Sequence, residues 1–150
     1  MTRPDHLRPG LVALVALGGA VGTTARFVLS SALPSWHDWP VATFTANLVG
    51  AFLLGVLLET LAGRGPESPR GRLVRLALGT GGLGGFTTFS SLALEIERLS
   101  TQGQPTLGAV YGLVSVALGF VVALGGVVWA ARRAAARTSS EDAAGQGAGR

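Results

Sequence analysis

The 150-residue chain is 48% hydrophobic and only 13% charged, with a mean hydropathy of +0.47. That balance excludes an ordinary soluble domain and points to membrane helices of about 20 apolar residues each. The formal charge of +4 comes from arginine without any lysine, gathered at the ends of apolar runs, which reads as membrane topology rather than a nucleic-acid face. The absence of cysteine excludes a disulfide framework or a thiolate metal site.

Residues 1–10 form a short polar leader with Arg3 and Arg8, expected on the cytoplasmic side. The apolar run behind it is followed by further spans and has no small-residue cleavage site, so it reads as a retained helix rather than a signal peptide. The first span is predicted over 11–33 and contains Gly18, Gly19 and Gly22, then Arg26. An arginine near a span's end ordinarily snorkels to the headgroups. In the loop 34–40, Trp36 and Trp39 read as interfacial anchors, with His37 and Asp38 solvated between them. Pro40 suits a helix start, and a second span follows over 41–62. Its unusual residue is Asn47, an amide that must find partners in lipid, as interhelical glue or as part of a polar path.

After a Gly/Pro/Arg loop at 63–72, a third span is predicted over 73–99, interrupted at 79–91. Glu95 and Glu97 stand at its far end, where at least one is expected to face water. Pro105 opens a fourth span, 106–131, in which Tyr111 and Ser115 share a face, placed to bond a passing anion or to pack against a neighbour. Residues 132–150 are predicted to be a disordered cytoplasmic tail. The whole is an all-α membrane protein with one four-helix domain, 11–131, and no repeat.

The stretch 79–91, G-T-G-G-L-G-G-F-T-T-F-S-S, organises the rest. Each glycine is less favourable in a helix than alanine by roughly 0.8–1 kcal/mol. The hydroxyls of Thr87, Thr88, Ser90 and Ser91 then offer the backbone competing bonds. A broken helix is expected. Irregular backbone at membrane depth survives only where protein or a water-filled cavity satisfies it, and exposed carbonyls there suit ion binding. Gly79, Gly81 and Gly84 also match a dinucleotide fingerprint, but without its strand and acidic residue, and a phosphate loop would need a lysine. The stronger alternative is close helix packing through Gly81 and Gly85, spaced as G-x-x-x-G.

Leader, second loop and tail hold Arg3, Arg8, Arg64, Arg70, Arg72, Arg75, Arg132, Arg133, Arg137 and Arg150, whereas the opposite loops hold only Arg98, with Arg26 near the first span's outer end. The positive-inside rule places both termini in the cytoplasm and gives the chain one orientation in the plasma membrane.

Gly18-Gly-Ala-Val-Gly-Thr-Thr-Ala-Arg26-Phe27, Asn47-Leu-Val-Gly50 and Gly84-Gly-Phe-Thr-Thr-Phe-Ser-Ser together resemble the CrcB/Fluc fluoride-channel family over about residues 10–131. The G-G-x-T-T-F-S core is the specific part. The resemblance implies an antiparallel dual-pore dimer that exports toxic fluoride down its gradient. It also implies a structural sodium ion held at the dimer centre by the carbonyls of Gly84 and Thr87. Fluoride is small and strongly hydrated, so a narrow pore must replace its water with donors. Asn47, Tyr111 and Ser115 offer such donors, and the ring edge of Phe89 carries partial positive charge. Arg26, Thr88, Ser90 and Glu95 are the expected polar support.

Two departures stand out. The family motif continues T-T-F-S-T-F, and here Leu92 occupies the place of the second ring. The arginine bias also opposes insertion in both orientations, which a homodimer of opposed copies requires. Both point to a heterodimer with a second, oppositely oriented family member, rather than self-pairing. A proton-coupled exporter of small substrates is the other transport reading, but it needs a carboxylate in mid-membrane, and Glu59 and Glu95 lie near span ends. A non-conducting partner subunit is the third. The lack of a titratable pair or nucleophile within the spans argues against an enzyme.

Overall fold

The computed structural model describes residues 8–33, 35–36 and 38–147, so most of the leader and His37 lie outside the described residues. Helices α1 (Pro9–Ala32) and α2 (Val41–Ala62) come first. An interrupted stretch follows: α3 (Pro69–Val74), a π-helical segment (Arg75–Leu83), the single turn α4 (Gly84–Phe86) and α5 (Phe89–Thr101). The long α6 (Pro105–Gly147) closes the chain. Among the described residues there is no strand, only an isolated antiparallel bridge between Trp36 and Trp39. Helices α1, α2 and the part Pro105–Arg137 of α6 are long and apolar enough to cross a membrane.

Local chemistry explains the boundaries. Proline opens α1, α3 and α6, where its missing N–H costs nothing. The Ser68 side chain caps α3 by accepting from the Gly71 N–H at 3.0 Å, so the interrupted stretch begins four residues before the predicted Leu73. Helix α6 runs to Gly147, past the predicted span end at Ala131 and through most of the expected disordered tail. Alanine at 130, 131 and 134–136 has the highest helix propensity of any residue and carries the helix onward.

Small residues fix the packing. Helix α1 lies against the π segment and α4, and α2 lies along α6. A Cβ added at Gly55 would collide with the Ala123 carbonyl, and one at Gly126 with the Phe52 carbonyl, so α2 and α6 meet nearly backbone to backbone. At the loop end, Leu92, Leu99 and Tyr111 form the buried cluster, flanked by Trp39, Phe44, Ile96 and Leu107. Trp39 packs inward against this cluster. Its ring stands edge-on to Phe44 and Tyr111 at centroid distances of 5.6 and 5.1 Å, whereas Trp36 stays exposed. The outer faces, including Phe27, Leu113 and Phe120, are exposed and apolar, as suits lipid or another protein chain.

Candidate ion pathway at the helix break

Asn47, in the second turn of α2, makes the break. The Thr88 N–H donates to Asn47 Oδ1 at 2.8 Å, and Asn47 Nδ2 donates to the Thr88 carbonyl at 3.0 Å. In a continuous helix that N–H would bond the Gly84 carbonyl. Asn47 takes it instead, and Thr87 and Thr88 are extended (φ, ψ of −81°, 159° and −153°, 123°). Thr88 Oγ1 then accepts from the Ser91 N–H at 3.1 Å, capping α5, and contacts the Ser90 and Ser91 hydroxyls, both at 3.2 Å. The break is thus confined to Thr87 and Thr88. The glycines that were expected to break the helix stay helical, because they are the surface on which α1 packs. A Cβ at Gly81 would stand 2.8 Å from the Val15 carbonyl, and one at Gly85 would strike the Gly19 carbonyl.

The break leaves the last carbonyls of α4 without helical partners. Arg26 Nε donates to the Gly85 carbonyl at 3.3 Å, joined by Thr23 Oγ1 at 3.4 Å. Arg26 is half-buried, with its Nε turned inward to α4. A cation at the end of a helix whose carbonyls point toward it is favourably placed.

A groove of about 380 Å³ opens beside the break, lined by Asn47, Gly84, Thr87, Phe89, Leu92 and Ser115 among others. Phe89 projects there with 79% of its surface exposed. Leu92 is only 5% exposed, because most of its side chain belongs to the buried cluster. Tyr111 does not line the groove. It is fully buried beside it and donates its hydroxyl to Glu95 Oε2 at 2.6 Å. Thr43 donates to the other oxygen, Oε1, at 2.6 Å. Ser115 in turn donates to the Tyr111 carbonyl at 2.6 Å.

Thr43, Glu95, Tyr111 and Ser115 therefore form a polar chain across α2, α5 and α6. Thr43 and Glu95 line a second, polar cavity of about 230 Å³ at the loop end, and Ser115 lines the groove. Of the two glutamates, Glu95 faces inward and Glu97 is exposed. Thr43 escaped the sequence reading, although it stands four residues before Asn47 and so shares its helix face. The Asp38 backbone near this cavity is left-handed (φ 65°), and its carboxylate accepts from Gln104 Nε2 at 3.0 Å. Because a buried polar group left without its partner costs about 1–3 kcal/mol, Tyr111→Phe is expected to lower stability by about 2 kcal/mol. Unfolding of the detergent-solubilised protein checks this; an unchanged midpoint would contradict the bond's structural weight.

Residues 13–127 match the family described as CrcB-like protein, Camphor Resistance (CrcB). The chain belongs to the CrcB family. The match runs from α1 into α6 and contains the whole break, the groove and the polar chain. Among curated CrcB-type relatives, the fluoride-specific ion channel FluC 2 of Leifsonia xyli subsp. xyli is 45% identical over 124 residues, covering 83% of this chain and 86% of that protein. FluC 1 of Cutibacterium acnes is 50% identical over 117 residues, covering 77% and 82%. FluC of Phenylobacterium zucineum is 40% identical over 121 residues, covering 79% and 94%. With its apolar helices, this CrcB chain is a multi-pass membrane protein.

Proposed function

We propose that the chain is a subunit of a fluoride-selective channel that lets toxic fluoride leave the cell down its electrochemical gradient. The carrying observation is the groove at the helix break, where an amide, a projecting phenyl ring and a hydroxyl meet in a protein 40–50% identical to channels named fluoride-specific. Nδ2 of Asn47 has two hydrogens, and only one is committed to Thr88. The second, with the Phe89 ring edge and the Ser115 hydroxyl, is the donor set that would replace water around the ion. Ser115 must turn from the Tyr111 carbonyl to take part.

In this reading α1, α2, the interrupted stretch and α6 make four crossings, with both termini cytoplasmic. The groove is mostly apolar, but the freed backbone groups at its break and the Asn47 amide are unfavourable if left open to lipid, and a second, antiparallel subunit would cover them and complete two pores. The partner is a different, oppositely oriented family member rather than a second copy. The arginine bias supports this, and so does the aliphatic Leu92 sunk in the core where the motif has a ring. That relatives carry the numbered names FluC 1 and FluC 2 fits organisms with more than one such chain.

The break also fits a structural sodium ion. The Gly84 carbonyl has lost its helical N–H to Asn47, and Arg26 occupies the neighbouring Gly85 carbonyl. The carbonyls of Gly84 and Thr87 are hard oxygen donors of the kind such a cation takes. Bound there, sodium would supply positive charge at the dimer centre. A proton-coupled exporter is disfavoured, because Glu95 is held by two hydroxyl donors at the cavity wall.

Phe89→Ile tests the pathway. It removes the polarised edge from an exposed position, so fluoride efflux from liposomes holding both subunits should fall about tenfold, the equivalent of roughly 1.4 kcal/mol, with thermal stability unchanged. Unaltered efflux would remove Phe89 from the ion's path.

A further inference from the structure

We infer that the far end of α6 carries a binding site for an anionic phospholipid. At about 1.5 Å per residue, the 43 residues of α6 extend roughly 65 Å, about twice the hydrocarbon thickness of a bilayer. The helix must therefore leave the membrane along its length, and side chains at the point of exit show what it meets there. An open groove of about 850 Å³ runs along one face of α6. Its lining residues come in pairs spaced by four, from Leu124 and Gly125 to Ala136 and Arg137, so they form one stripe.

Along the stripe the chemistry changes in the order of a lipid molecule. Leu124, Gly125 and Val128 come first, and a Cβ added at Gly125 meets nothing within 4 Å, so a notch lies open between apolar side chains. Trp129 follows, a residue that favours the headgroup level. Arg133 lies over its ring, 4.4 Å from guanidinium carbon to centroid, which holds that cation at the same level. Arg132 and Arg137 extend the positive charge, and no acidic residue lines the groove. Acyl chain, glycerol and phosphate thus each meet a matching surface. Guanidinium groups suit phosphate oxygens through paired N–H donors. The charge selects an anionic headgroup over a zwitterionic one.

The test uses the full chain purified in mild detergent, titrated with phosphatidylglycerol or with phosphatidylcholine, and read by native mass spectrometry and by thermal unfolding. Phosphatidylglycerol should remain bound and raise the unfolding temperature, and phosphatidylcholine should do neither. Arg132→Gln, Arg133→Gln and Arg137→Gln are expected to weaken binding about fivefold each. Gly125→Leu keeps every charge but fills the notch, and should also weaken it. Equal retention of both lipids, or a triple Arg→Gln variant that still prefers phosphatidylglycerol, would overturn the site. So would stabilisation of the same size by inorganic phosphate alone, which would indicate a free anion. Neither readout involves fluoride, so the result is independent of the transport activity.

Discussion

Asn47→Ala is expected to lower both stability and fluoride efflux by large amounts. The side chain satisfies the N–H and the carbonyl of Thr88 at the break between α4 and α5, where the chain is extended. Each buried backbone group left without a partner costs about 1–3 kcal/mol, so the loss should be about 2–6 kcal/mol. Without the amide, nothing on α2 holds Thr87 and Thr88 extended, and the geometry of the break is lost. That would also carry Phe89 away from the groove. Efflux should fall at least about a hundredfold, the larger share of the loss coming from displaced geometry. Asn47→Asp separates the two bonds, since it keeps the acceptor for the N–H and loses the donor to the carbonyl. It should fall between wild type and alanine in stability. Thermal unfolding in detergent and electrode-monitored efflux check both. An Asn47→Ala protein with unchanged stability would show that something else holds the break.

Gly22→Ala should be comparably damaging for a different reason. A Cβ on Gly22 would overlap the Gly82 carbonyl oxygen and lie 2.9 Å from the Phe86 nitrogen. Both are backbone atoms, unable to swing aside like the tip of a side chain. Helix α1 must then move off the π segment, and overpacking of this kind typically costs 1–3 kcal/mol. The cost should reach the upper part of that range, about 3 kcal/mol, because the same movement stretches Arg26 and Thr23 away from the Gly85 carbonyl. Gly119→Ala is the control. Nothing stands within 4 Å of its Cβ, so alanine should be tolerated there and, by its higher helix propensity, should raise stability by up to about 1 kcal/mol. Equal tolerance at 22 and 119 would contradict the tight α1 contact.

The residues that carry the site were legible because they are out of place in an apolar sequence. Asn47 in the second span, the Thr87–Thr88 hydroxyls and Arg26 all stand out against leucine and valine. What could not be read was their pairing. Asn47 and Thr88 are 41 positions apart, and nothing in either segment marks which helix faces which. For the same reason the sequence left Arg26 open between snorkelling and polar support, since hydropathy records depth but not direction. The break was read too wide because glycine's low helix propensity is a local term. Packing against α1 outweighed it, and the G-x-x-x-G reading of Gly81 and Gly85 describes their contacts. Glu95 lay near a span's end in the sequence, yet Thr43 and Tyr111 converge on it from two other helices. Its place in a chain of hydroxyls became visible only in three dimensions.

Fluoride-selective permeation is tested most directly by anion efflux from liposomes, with fluoride and chloride electrodes and a readout of each. The chain reconstituted together with an oppositely oriented family member should release fluoride rapidly and hold chloride, and the chain alone should release little. Fluoride retained even with the partner present, or chloride escaping alongside it, would contradict the assignment. Rapid fluoride release by the chain alone would keep the channel and remove the need for a partner.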